Sequence, residues 1–147
     1  MIASNNPSAQ VATTRLVSTS PREVFAAFED AELLTKWWGP KDFTSTFEVF
    51  EFCPGGRWVF ALRAPHGATY PNESVFRELD PAARLVIEHI SKPHYILTVT
   101  LAGHGAQTLV TWTQEFESPE AAAKLRPIVE PGNEQNLDRL EAVLAGR

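Results

Sequence analysis

The chain has 147 residues, of which 44% are apolar, 10% aromatic and 21% charged, a balance that fits one globular domain and argues against a disordered chain. Its 13 Lys and Arg against 18 Asp and Glu give a net charge of -5 without a basic cluster. That excludes nucleic acid and anionic membrane surfaces as expected partners, because both need a positive electrostatic footprint.

Cys53 is the single cysteine, so no internal disulfide is expected, and no group of Cys and His has metal-ligand spacing. Met1 to Gln10 lacks the basic run and apolar core of a signal peptide, and no apolar stretch is long enough to span a bilayer. The expectation is a cytoplasmic protein with no membrane insertion, no metal and no cofactor. Asn72-Glu73-Ser74 matches a glycosylation sequon, read as a chance match in the absence of a secretory signal.

In chain order, residues 1–9 read as a flexible tail and residues 10–147 as the domain. Gln10 to Ser18 is rich in β-branched residues and predicts a strand. Ser20-Pro21-Arg22-Glu23 places a cap, a first-turn proline and an acid ahead of the apolar stripe Val24, Phe25 and Phe28, which predicts a short helix. Asp30 caps a second, with Leu33, Leu34, Trp37 and Trp38 on one face and Gly39-Pro40 as its stop.

From Phe43 the apolar period becomes two, predicting strands over Phe43 to Phe52, Arg57 to Arg63, Tyr70 to Leu79, Arg84 to Ile90, Tyr95 to Leu101 and Thr108 to Phe116. The links between them are short and rich in Gly and Pro, so neighbouring strands run antiparallel. Ser118-Pro119-Glu120 opens a further helix that Pro127 and Pro131-Gly132 are expected to interrupt. Asn133 to Leu144, with Leu137, Leu140 and Leu144 at helical spacing, supplies the amphipathic cover for the sheet. The fold class is α+β, a curved antiparallel sheet of seven strands around a C-terminal helix, with two short helices after the first strand.

Three motifs carry a family resemblance: Trp37-Trp38-Gly39-Pro40, Cys53-Pro54-Gly55-Gly56-Arg57-Trp58, and Phe76-Arg77-Glu78-Leu79-Asp80-Pro81 followed by Arg84-Leu85-Val86. In order and spacing the chain resembles, from about residue 10 to residue 145, the activator of Hsp90 ATPase homologue 1-like family of the START/Bet v 1-like superfamily. The resemblance implies a helix-grip fold enclosing a cavity for small hydrophobic molecules. The superfamily spans carriers, cyclases and co-chaperone domains, so it implies no universal catalytic motif. Such sequences often open the final helix with Gly-Trp, whereas this one has Gly132-Asn133.

Strand alternation sets Trp58, Phe60 and Leu62 on one face, as it does Leu85, Ile87 and His89, and Val110, Trp112 and Gln114. With Phe50, Phe52, Tyr95 and Leu97 these are the expected walls of an apolar pocket, and their alternative role is plain core packing. Trp37 and Trp38 are candidates for a gate over its opening or, equally, at least one of them for an anchor of the short helices on the sheet rim. His89 and Gln114 stand out as polar groups on an apolar face, which need a partner in the fold or on a ligand. The expected ligand-binding set is Trp38, Phe50, Trp58, Phe60, Ile87, His89, Tyr95, Trp112 and Gln114.

An enzymatic reading, as a cyclase, aromatase or hydrolase, rests on His89 with Tyr70, Glu48 or Tyr95 as proton carriers, none at diagnostic spacing. It ranks behind a small-molecule binding protein. A third reading is a co-chaperone-like module for an Hsp90-type partner. His66 and His104 sit in glycine-flanked turns and read as solvated, Cys53 reads as a small packing residue, and Val59 and Ala61 make the outer sheet face a candidate dimer contact.

Overall fold

The structure is a computed structural model that describes residues 7–146. Seven strands form one antiparallel sheet in the order β1-β7-β6-β5-β4-β3-β2. They are β1 Gln10–Val17, β2 Thr44–Phe50, β3 Arg57–Arg63, β4 Thr69–Asp80, β5 Arg84–His89, β6 Tyr95–His104 and β7 Gln107–Phe116. Helices α1 Pro21–Glu29 and α2 Ala31–Trp37 lie between β1 and β2, and α3 Pro119–Ala145 follows β7. This is the expected helix-grip arrangement.

The local chemistry that starts each helix is in place. Ser20 Oγ accepts from the Glu23 N–H at 3.3 Å, the Asp30 carboxylate from the Glu32 and Leu33 N–H groups at 3.0 and 3.4 Å, and Ser118 Oγ from the Ala121 N–H at 3.1 Å. Each satisfies a donor that the first helical turn leaves unpaired.

The inner sheet face carries the core. Trp58, Phe60, Phe76, Leu85, Ile87, Leu97, Val99, Val110 and Trp112 bury against Phe28, Leu34, Trp37, Trp38, Leu137 and Leu140 from the helices. Two bulges adjust the pleat: one at Glu48, which turns both Phe47 and Phe50 inward, and one at Arg77. β2 ends at Phe50, two residues short of the expected boundary.

Several expectations are corrected here. Residues 1–6 of the expected tail lie outside the described residues, but Pro7–Ala9 forms a 3₁₀ turn and Ala9 is buried, in line with α3 packing on this segment. Trp37 and Trp38 are both buried rather than gating an opening, because the α2 terminus is pressed between sheet and α3. Cys53 is exposed in the turn before Gly55 rather than packed.

The expected break at Pro127 and Pro131 is absent, and α3 is a continuous helix of 27 residues. A proline inside a helix costs about 3 kcal/mol, and here anchoring on both sides of the pair offsets it. Before the pair, Arg126 donates to the Gln10 carbonyl at 3.0 Å. Beyond it, Asn136 Nδ2 donates to the Trp37 carbonyl at 2.7 Å, and Arg139 donates to the carbonyls of Lys36, Gly39 and Pro40 at 3.0 Å each and of Trp38 at 3.4 Å. The Arg15 guanidinium bridges Glu134, Asp138 and Glu141 along the same half of the helix. Arg139 also explains the Trp-Trp-Gly-Pro motif, since its guanidinium collects the carbonyls that the end of α2 leaves without helical partners.

Candidate functional site

Between the inner sheet face and the middle of α3 lies a cavity of about 230 Å³. Trp38, Leu62, Leu97, Trp112, Val129 and the exposed Ile128 give it apolar walls, and Asn72, His89, Tyr95, Gln114, Asn133 and Asn136 give it polar groups. Register explains the grouping. His89 pairs with Tyr95, Leu97 with Gln114, and Tyr95 with Phe116, so adjacent strands bring these inward-facing positions side by side at one end of the sheet.

The polar groups form two linked chains. Asn133 Nδ2 donates to Gln114 Oε1 at 2.7 Å, and Gln114 hydrogen-bonds the Tyr95 hydroxyl, whose pKa burial pushes up to about 12. Tyr95 stacks on His89 with ring centroids 4.5 Å apart and planes 12° apart. His89 Nδ1 lies 2.8 Å from the Pro93 carbonyl and its Nε2 lies 2.6 Å from Asn72 Oδ1, with Ser91 Oγ at 3.3 Å. Asn72 is fixed in turn by Nδ2 donating to the Tyr70 carbonyl at 2.9 Å.

His89 is 3% exposed, and its burial lowers the pKa below the ordinary 6.5, outweighing the opposite pull of the Pro93 carbonyl. The unfolded chain therefore takes up the proton first as pH falls. The stability contributed by neutral His89 is complete above about pH 6.5 and is lost as pH drops below it. The melting temperature of the wild type is expected to fall more steeply between about pH 7 and pH 5 than that of His89→Gln, measured by circular dichroism. Parallel pH profiles would contradict this assignment.

Of the residues expected to bind ligand, Trp38, His89, Tyr95, Trp112 and Gln114 line the cavity. Phe50, Trp58, Phe60 and Ile87 do not. They belong to a solid aromatic and aliphatic mass beside it, where Trp58 stacks on Phe76 at 5.7 Å and contacts Phe60 at 4.5 Å, leaving no space to line.

The proposed proton carriers are not brought together. Tyr70 is exposed near the ring of Phe43 and Glu48 is exposed in its bulge, so of the candidates only Tyr95 contacts His89. His66 and His104 are exposed in their turns. Among the described residues no group of three or more His, Cys, Asp and Glu is placed to hold a metal ion, and no helix is long and apolar enough to cross a membrane.

Sequence reasoning missed Asn72 and Asn133. Asn72 was seen only as part of a sequon, although alternation with Ser74 and Phe76 puts it on the inner face of β4. Asn133 was read only as the residue after Gly132 at the start of the final helical segment, and its proximity to Gln114 depends on α3 staying unbroken through Pro131.

A curved sheet gripping a long helix over a cavity with apolar walls and a short polar chain defines a helix-grip domain. Residues 18–145 match the family described as activator of Hsp90 ATPase homolog 1-like protein, and the chain belongs to that family. A comparison with curated protein sequences returns no match.

Solved structures share the fold. A protein of Arthrobacter aurescens superposes with a TM-score of 0.89 at 22% identity, covering 100% of this chain and 94% of its own. One of Nitrosomonas europaea gives 0.88 at 20% identity, covering 96% and 97% respectively. An AHSA1-like protein of Aeromonas hydrophila gives 0.74 at 18% identity, covering 90% and 92%.

Proposed function

We propose that this protein binds a small, largely apolar molecule in the cavity beneath α3 and acts as its carrier or sensor in the cytoplasm. The observation that carries this reading is the cavity itself: tryptophan and aliphatic walls with a few convergent polar groups, the usual make-up of a small-molecule site. At about 230 Å³ it lies below the roughly 300–1,000 Å³ of drug-sized sites, so it fits a ligand of one or two rings. Removal of apolar ligand surface from water, at roughly 25 cal/mol per Å², supplies most of the affinity, and the polar chain sets orientation.

A binding role is favoured over catalysis because both His89 ring nitrogens are already engaged by Pro93 and Asn72. That leaves the imidazole no free nitrogen with which to exchange a proton with a substrate.

Native mass spectrometry of the protein purified from its host is expected to show a stoichiometric small-molecule adduct. Gly132→Leu is expected to abolish it. Gly132 lines the cavity, and a Cβ there would meet only Pro40 Cγ at 3.9 Å, so the backbone accepts a side chain that would fill the space. An adduct retained in full by folded Gly132→Leu would remove this cavity as the site.

A further inference from the structure

Asn133 and Asn136 lie on the face of α3 that meets the cavity, and both line it while being only 9% and 6% exposed. Each amide nitrogen is engaged: Asn136 Nδ2 donates to the Trp37 carbonyl and Asn133 Nδ2 to Gln114 Oε1, both at 2.7 Å. Each amide oxygen is left over. Turning the Asn136 amide over would set its oxygen against the Trp37 carbonyl, so that oxygen is fixed in place as an acceptor.

The Asn136 oxygen has no hydrogen-bond partner among the described residues, and it is not enclosed either. The enclosed side-chain atoms without a hydrogen bond are Trp58 Nε1, Arg84 Nε and Trp112 Nε1, which meet no open space. Asn136 Oδ1 is outside that group, so it reaches the cavity that its residue lines. It is an acceptor that the fold leaves unused, and a ligand that brings a donor gains a hydrogen bond there.

The donor has to be uncharged. Among the described residues lining the cavity there is no Asp, Glu, Lys or Arg, and His89 is held neutral by burial, with its ring nitrogens on Pro93, Asn72 and Ser91. An ammonium group would lose its hydration with no carboxylate to replace it.

The same group has to accept as well. Gln114, whose oxygen takes the Asn133 proton, carries two protons on Nε2, and the Tyr95 hydroxyl accepts one of them. The other is open to a ligand oxygen. A hydroxyl both donates and accepts, whereas an N–H only donates.

Resting on the cavity being the ligand site, we propose that the ligand is an uncharged ring compound carrying a hydroxyl group, which donates to Asn136 Oδ1 and accepts from the Gln114 amide. The rings lie against Trp38, Leu97 and Trp112. The Trp37 carbonyl, at the start of the Trp-Trp-Gly-Pro segment, orients the carboxamide from behind and so sets the polar contact.

The test uses three probes that share a ring system. 2-Naphthol donates and accepts, and keeps its proton at pH 7 as a tyrosine does. 2-Methoxynaphthalene only accepts, and 2-methylnaphthalene does neither. Equilibrium dialysis against the wild-type protein reads their affinities, and 2-naphthol is expected to bind at least about tenfold tighter than either of the others. If the cavity offered the hydroxyl no acceptor, burial would cost it its hydrogen bonds to water and the order would reverse. ¹³C NMR of the wild type gives a reading free of any variant: the Asn136 side-chain carbonyl resonance is expected to move further with 2-naphthol than with 2-methylnaphthalene.

Asn136→Leu should bring 2-naphthol down to the affinity of 2-methylnaphthalene. A control probe that binds the wild type as tightly as 2-naphthol, a 2-naphthol preference that survives in folded Asn136→Leu, or an Asn136 resonance that responds alike to both probes would overturn the hydroxyl assignment while leaving the binding reading intact. Binding of none of the three, or binding that folded Gly132→Leu retains in full, would overturn both.

Discussion

Replacing Trp37 with alanine is expected to lower the free energy of unfolding by about 4 kcal/mol. The indole is fully buried, makes edge contacts with Phe28, Trp38 and Trp112 at 4.9, 5.5 and 6.4 Å, and donates from Nε1 to the Ala27 carbonyl at 3.0 Å. Truncation therefore leaves a void among rings that cannot close around it and a buried carbonyl without its donor. Urea denaturation of wild type and variant measures the difference. A loss below about 1.5 kcal/mol would mean that the junction of α1, α2 and sheet is far softer than its packing indicates.

Gly56→Ala is expected to be the most damaging change to the turn between β2 and β3, at about 3 kcal/mol or more, and Gly55→Ala the milder at about 1–2 kcal/mol. The two glycines are required for different reasons. Gly55 has φ +85° with open space where a Cβ would stand, so alanine there meets only the penalty of the left-handed region. At Gly56 a Cβ would overlap the Glu51 carbonyl oxygen and stand 2.9 Å from that of Cys53, both backbone atoms of the same turn.

The turn cannot drift to make room, because Gly55 N–H donates to the Phe76 carbonyl at 2.7 Å and Phe76 N–H to the Gly56 carbonyl at 3.0 Å, fastening it to β4. Thermal melts of the two variants rank them. A Gly55→Ala loss equal to or above that of Gly56→Ala would contradict the steric account.

Elements whose signals are local were legible in the sequence. Ser20, Asp30 and Ser118 act through their own next turn, and β3 lies where alternation from Arg57 to Arg63 places it. What escaped depends on contacts distant in sequence. The prolines of α3 read as a break because the offsetting bonds to Gln10 and to the Trp-Trp-Gly-Pro segment join residues about a hundred positions apart.

The bulge at Glu48 hid Phe47 from a strict period of two. Within the inner face, alternation told which side chains point inward but not where the interior is solid. Trp58 and Phe60 fill it while Trp112, on the same face, borders the space, a distinction set by how α2 and α3 lie across the sheet.

The two prolines of α3 make its stability uneven along its length. Pro127 offers no N–H to the Ala123 carbonyl and Pro131 none to that of Pro127, so the turn bearing Ile128 and Val129 lacks two of the rungs that hold a helix shut. That turn is the roof of the cavity, whereas the helix beyond it is pinned through Asn136 and Arg139. Local opening of α3 therefore costs least at this one turn above the cavity, and most along the half of the helix that Asn136 and Arg139 hold.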